Sequence, residues 1–186
     1  MADSNAAIVL LAGGEARRFP GKLEQPVDGR PLVQRCFDRL RASRWPVYIA
    51  GKGTFCSDLD RALDAPLLID RHPGGGPLAA LLSACTAVRA ERIFAVAADQ
   101  PNMDAGVLER LAEAWEPSDE AIVPRHDGGI EPLAALYARH AVLREGFLLR
   151  RSGASAMRDL LRRIAARFVS FDARHFHNVN YASDLA

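Results

Sequence analysis

Residues 6–22 read Ala6-Ala7-Ile8-Val9-Leu10-Leu11-Ala12-Gly13-Gly14-Glu15-Ala16-Arg17-Arg18-Phe19-Pro20-Gly21-Lys22. The opening apolar run, 6–11, is short, contains β-branched Ile8 and Val9, and stops at a pair of glycines. That pattern predicts a buried β-strand running into a sharp turn. Two adjacent glycines let the backbone bend and bring its N–H groups close to a ligand with no Cβ in the way. Arg17, Arg18 and Lys22 then place three cations within six residues. Such a loop suits an anionic, phosphate-bearing ligand, although a strand–helix turn with solvated basic residues has the same composition. A Walker A loop is excluded, because it places four residues between Gly and Gly-Lys-Ser/Thr. Here six residues separate Gly14 from Gly21, and Leu23 follows the lysine. The GxGxxG dinucleotide fingerprint is also absent.

Working outward, further short apolar runs at 47–50, 67–69, 93–97, 121–123 and 168–171 read as strands. Amphipathic stretches at 32–42, 55–63, 78–89, 105–115 and 155–166 read as helices. In the first of these, Val33, Cys36, Phe37 and Leu40 fall at i, i+3, i+4 and i+7, and Asp104 stands as N-cap of 105–115. Residues 133–137 fit a strand or a helix start, with strand the preferred reading. Alternating strands and helices predict an α/β fold, a mostly parallel central sheet covered on both faces. Ligands of such sheets bind at the carboxyl ends of the strands, near a topological switch point.

The chain has 186 residues, 49% hydrophobic and 25% charged, which fits one globular domain spanning 1–186. A net charge of +1 argues against nonspecific nucleic-acid binding through bulk charge. No run approaches the roughly 20 apolar residues of a membrane span, and the N-terminal segment lacks a basic n-region. Cys36, Cys56 and Cys85 form no CxxC pair and read as reduced thiols. A cytoplasmic protein with neither nucleic-acid nor membrane partners is the expectation.

At the ends of later strands stand two carboxylates. Asp99 follows 93–97, where it could hold Mg²⁺, which keeps several waters and binds substrate phosphates; capping the turn before Pro101 is the plainer role. Asp70 ends 67–69 ahead of a glycine-rich loop, and local backbone hydrogen bonding is an equally good account of it.

The loop at 10–22 resembles the LAGG-x-x-x-R-x-G-x-x-K signature of nucleotidyltransferases, most closely the molybdenum cofactor guanylyltransferases. Four further segments are similar to that family's motifs, in the same order: Asp28-Gly29-Arg30-Pro31-Leu32, Gly75-Gly76-Pro77-Leu78-Ala79, Ala98-Asp99-Gln100-Pro101 and Glu131-Pro132-Leu133-Ala134-Ala135-Leu136-Tyr137. Phe176-His177-Asn178-Val179-Asn180 matches a last one. One departure is Gly21, where the family usually carries Asp or Asn.

The resemblance implies a three-layer Rossmann-like nucleotidyltransferase fold and the transfer of GMP from GTP to the phosphate of molybdenum cofactor (molybdopterin). It implies Arg18, Lys22 and Asp99 as catalytic residues, Leu11, Ala12, Gly13, Gly14, Lys22, Asp70 and Asp99 as nucleotide contacts, and Asp99 as the Mg²⁺ ligand. Molybdoenzymes or their chaperones would receive the product. Gly13-Gly14, Gly76-Pro77-Leu78 and Asn178-Val179-Asn180 lean to guanine, whereas Asp99-Gln100-Pro101 is common among cytidylyltransferases. The alternatives are a cytidylyltransferase, a guanylyltransferase with another phosphorylated acceptor, and a nucleotide-binding protein without turnover. His175 and His177, at strand spacing, and Arg150-Arg151-Ser152-Gly153, a basic helix end, are weaker candidates for a metal and for the pterin phosphate.

Overall fold

Strand β1 (Ala6–Leu11) is buried along its whole length, so both of its faces must be covered. Its even-numbered side chains, Ala6, Ile8 and Leu10, enter one apolar layer, and Ala7, Val9 and Leu11 enter another. This alternation is the period-two geometry of a strand acting on an all-apolar run. The computed structural model describes residues 5–12, 21–51, 62–69 and 75–185.

β1 pairs in parallel with β4 (Val47–Gly51) on one side and with β6 (Arg92–Ala97) on the other. β5 (Leu67–Ile69) extends the sheet beyond β4. On the other flank β9 (Ala134–Ala138) runs antiparallel between β6 and β7 (Ala121–His126), and β10 (Ala166–Ser170) pairs in parallel with β7. The sheet order is β10-β7-β9-β6-β1-β4-β5, with β8 (Gly129–Ile130) hairpinned onto β7, and β2 (Pro26–Val27) and β3 (Arg30–Pro31) form a separate small hairpin.

Helices α1 (Leu32–Arg41) and α3 (Ala105–Glu113) cover one face. Helices α2 (Gly76–Ala87), α4 (Arg139–Arg151) and α5 (Met157–Leu161) cover the other. The three-layer, mostly parallel α/β architecture read from the sequence is therefore the one observed. α1 buries Leu32, Val33, Cys36, Phe37 and Leu40, the predicted stripe with Leu32 added. α2 is buried continuously from Leu78 to Cys85, because the sheet lies on one side of it and α4 on the other.

Two elements differ from the sequence reading, and a third falls mostly outside the described residues. The helix expected at 155–166 is confined to Met157–Leu161. Strand pairing wins beyond it: Ala165 gives its N–H to the Glu120 carboxylate at 3.0 Å and its carbonyl to Glu120 and Ala121 N–H, which draws the following residues onto β7. Helix α4 was not anticipated. No side chain caps its start, and exposed Phe147 and Leu148 blur its periodicity. The helix expected at 55–63 lies mostly outside the described residues; Ala62 and Leu63 are helical.

After β1 the chain passes through α1 to β4 on one side, and from β5 it crosses through α2 to β6 on the other. The carboxyl ends of β1 and β6 thus flank a topological switch point, where diverging connections leave a crevice.

Candidate functional site

Two segments reach that crevice: the chain returning at Gly21-Lys22 and the turn after β6. Gly21 has φ +70°, in the left-handed region, and its carbonyl accepts the Glu24 N–H at 3.0 Å to start a 3-10 turn over Lys22–Glu24. Glycine adopts that conformation without strain, and Asn and Asp are the side chains that tolerate it next best. Gly21 therefore takes a conformation that Asn and Asp also tolerate, and it brings no side chain to the crevice.

Lys22 Nζ lies 2.5 Å from Asp99 Oδ2 and also donates to the Val179 carbonyl at 3.1 Å. The two side chains are only 16% and 21% exposed, so the pair is shielded from much of the solvent screening that weakens surface ion pairs. Asp99 is held from below. The Val179 N–H donates to its backbone carbonyl at 2.9 Å. The Cys36 thiol donates to the preceding Ala98 carbonyl at 3.2 Å, and burial pushes that thiol up to about 12, so it serves as a neutral donor and not as a nucleophile. Arg39 of α1 bonds the Met103 carbonyl and the Asp104 carboxylate, both at 3.2 Å, and fixes the far end of the turn.

Leu11 and Ala12 lie beside this pair through their backbone. The Leu11 carbonyl accepts from Ala98 N–H at 3.1 Å, and Ala12 N–H donates to the Ala50 carbonyl at 2.8 Å. At the mouth of α2, a Cβ on Gly75 would come within 2.4 Å of Arg150 Nη1 and 2.6 Å of the Ala79 methyl, so the close packing there requires glycine. Arg150, from the basic end of α4, thus lies against the Gly75-Gly76-Pro77 segment.

Of the residues expected in a site, the fold brings Lys22 and Asp99 into contact with Leu11 and Ala12 alongside. Gly13, Gly14, Arg17, Arg18 and Asp70 lie outside the described residues. His175 packs edge-on against Phe176, and His177 is exposed. Among the described residues no group of three or more His, Cys, Asp or Glu side chains is arranged to hold a metal ion. No helix among them is long and apolar enough to cross a membrane. The residue that sequence reasoning undervalued is Val179. It is fully buried, and its signal was its place in the Asn178-Val179-Asn180 tail, where the asparagines drew the attention.

A parallel-sheet switch point carrying a partly buried lysine–carboxylate pair, in a chain whose sequence continues from β1 into a glycine- and arginine-rich stretch, defines a Rossmann-like α/β protein. Comparison with known proteins sharpens that class. Residues 8–168 match the MobA-like NTP transferase domain. A protein of Bacillus licheniformis named "probable molybdenum cofactor guanylyltransferase" is 32% identical over 184 residues, covering 95% of this chain and 93% of the relative. One of the same name from Opitutus terrae is 36% identical over 160 residues, covering 83% and 77%. The crystal structure of molybdopterin-guanine dinucleotide biosynthesis protein A from Archaeoglobus fulgidus superposes with a TM-score of 0.81 at 25% identity, over 96% of this chain and 94% of that one. The chain belongs to the MobA-like NTP transferase family, and it is a nucleotidyltransferase.

Proposed function

We propose that the protein transfers GMP from GTP to the terminal phosphate of molybdenum cofactor (molybdopterin), releasing pyrophosphate. The observation that carries this reading is the 2.5 Å Lys22–Asp99 pair at the switch point. The names of the relatives support guanine as the base and molybdopterin as the acceptor. Gln100, the middle residue of the Asp99-Gln100-Pro101 tripeptide that leaned toward cytidine, is 1% exposed and donates its amide to Glu131.

In the reaction an oxygen of the acceptor phosphate attacks the α-phosphorus. A new P–O bond forms, the bond from the α-phosphorus to the bridging oxygen breaks, and pyrophosphate leaves with that electron pair. The nucleophile is already an anion and needs no general base, so catalysis is positioning and charge neutralisation. Lys22 would pass its ammonium from Asp99 to phosphate oxygens, and Arg18 would add a second cation on the leaving group. Leu11, Ala12, Gly13, Gly14 and Asp70 would contact the nucleotide.

A single carboxylate suits Mg²⁺, which binds through one or two protein carboxylates together with substrate phosphates and waters. Asp99 would hold it, and the bound ion would neutralise charge on the phosphates. The pair would therefore work as an exchange: Asp99 would be free to hold the ion once Lys22 had passed its ammonium to the nucleotide phosphates.

Thermal shift with GTP, CTP and ATP in Mg²⁺ tests the base, and GTP should stabilise most. Pyrophosphate release in the presence of molybdenum cofactor tests turnover. A larger stabilisation by CTP would overturn guanine, and nucleotide binding without pyrophosphate would leave a binding protein in place of an enzyme.

A further inference from the structure

Val179 joins the C-terminal segment to the site through its backbone alone: its N–H is on the Asp99 carbonyl and its carbonyl on Lys22 Nζ. Asn102 Nδ2 bonds the Arg174 carbonyl at 3.0 Å and Phe171 packs edge-on against Phe176, and a chain of polar contacts also reaches the segment through Phe176. Gln100, next to Asp99 and 1% exposed, donates its amide to Glu131 Oε2 at 3.3 Å. The other oxygen of Glu131 lies 2.9 Å from His126 Nε2. The His126 Nδ1 accepts the Gly128 N–H at 3.0 Å, which leaves the ring proton on Nε2 and makes the imidazole the donor to Glu131. The same ring stacks on Phe176, with centroids 5.6 Å apart and planes 16° from parallel. Phe176 ends the 3-10 turn that leads into Val179.

Glu131 itself has little freedom. Its N–H bonds the Pro124 carbonyl at 3.0 Å, its carbonyl accepts from Ala134 at 3.1 Å, and the fully buried Tyr137 hydroxyl donates to the adjoining Pro132 carbonyl at 2.7 Å. The contacts close a ring: Asp99, Gln100, Glu131, His126, Phe176, Val179, Lys22 and back to Asp99. Stability is a poor reason for it, because Gln100 Oε1 is buried with no partner among the described residues and an unpaired buried carbonyl is unfavourable.

We propose that His126, Glu131 and Gln100 are positioning residues that hold the Val179 segment, and through it Lys22, in register with Asp99. Only the activity arm of the test rests on the function proposed above. His126→Phe keeps a ring on Phe176 and removes the donor to Glu131; His126→Gln restores an amide donor; Glu131→Ala removes the centre of the chain. Amide hydrogen exchange reads the segment directly. In His126→Phe and Glu131→Ala, exchange at Val179 should rise by about tenfold while exchange at Leu10 in β1 stays unchanged. In pyrophosphate release kcat should fall by about tenfold with the nucleotide KM nearly constant, and His126→Gln should recover part of both losses. Unchanged Val179 exchange in His126→Phe would overturn the proposal. So would a parallel rise at Leu10, which would mean that the chain supports the whole fold. If the wild-type protein released no pyrophosphate, the proposed function would fail while the exchange arm still decided this inference.

Discussion

Gly21 shows how one residue can depart from a family pattern and preserve its purpose. At φ +70° it turns the chain so that Lys22 enters the crevice. An L-residue there costs roughly 1–2 kcal/mol, less for Asn, whose short polar side chain bonds locally. Gly21→Ala should lower stability by about that amount in urea unfolding, and Gly21→Asn by less; equal midpoints for all three would contradict the assigned backbone role. Asp99 was legible in the sequence because it follows an apolar run whose end faces a ligand in a parallel sheet, and Lys22 because it closes a cluster of three cations behind paired glycines. Val179 was not legible, because it acts through an N–H and a carbonyl that almost every residue owns. Gln100 and Glu131 stood in motifs read from the sequence, but the contacts joining Glu131 to Gln100 and to His126 were hidden. They meet because the β6–β9–β7 pairing brings their strand ends together, and no local spacing encodes that.

Among the elements, strands were easier to read than helices. β1 and β5 fell at their predicted bounds, since an apolar run closed by turn residues has few other uses. Helix α4 escaped because its packing surface is partly an absence. A Cβ at Gly146 would lie 3.1 Å from Leu82 Cδ1, so glycine is what lets α4 approach α2, and glycine at a helix centre normally argues against a helix. The N-cap of α3 was read correctly: Asp104 Oδ1 accepts the Val107 N–H at 3.1 Å while Oδ2 meets Arg39 at 3.2 Å. Asp104→Ala should cost about 1 kcal/mol for the cap. Asp104→Asn, which keeps a capping oxygen and loses only a half-exposed ion pair, should cost a few tenths. Chemical denaturation of the two variants separates cap from charge; the same loss in both would contradict the division.

At the scale of the whole molecule, two carboxylates just before β7 contribute to acid stability. Hydrogen bonds from Arg167 hold the Asp119 carboxyl below its usual range, and those from Arg144 do the same for Glu120. A carboxylate whose folded pKa is depressed binds fewer protons in the folded than in the unfolded chain. It contributes stability above the ordinary value near 4, and that contribution disappears as pH falls through the lower folded value. Asp119→Asn should reduce stability at pH 7 and flatten the decline below about pH 4. An unchanged acid slope would contradict the assignment.

The sheet order brings the chemistry together at the same scale. Crossing from β5 over to β6 is what sets the end of β1 beside the end of β6, and so Lys22 against Asp99. That the two ends meet was expected of the fold class; the exchange role assigned to the pair is the central claim. Its most direct test is formation of the guanine dinucleotide cofactor from GTP, Mg²⁺ and molybdenum cofactor by the wild-type protein, Lys22→Ala and Asp99→Asn. Wild-type product with at least about a tenfold loss of turnover in each variant, close to 1.4 kcal/mol of transition-state stabilisation, is expected. Unchanged turnover in Lys22→Ala at saturating nucleotide and Mg²⁺ would contradict it.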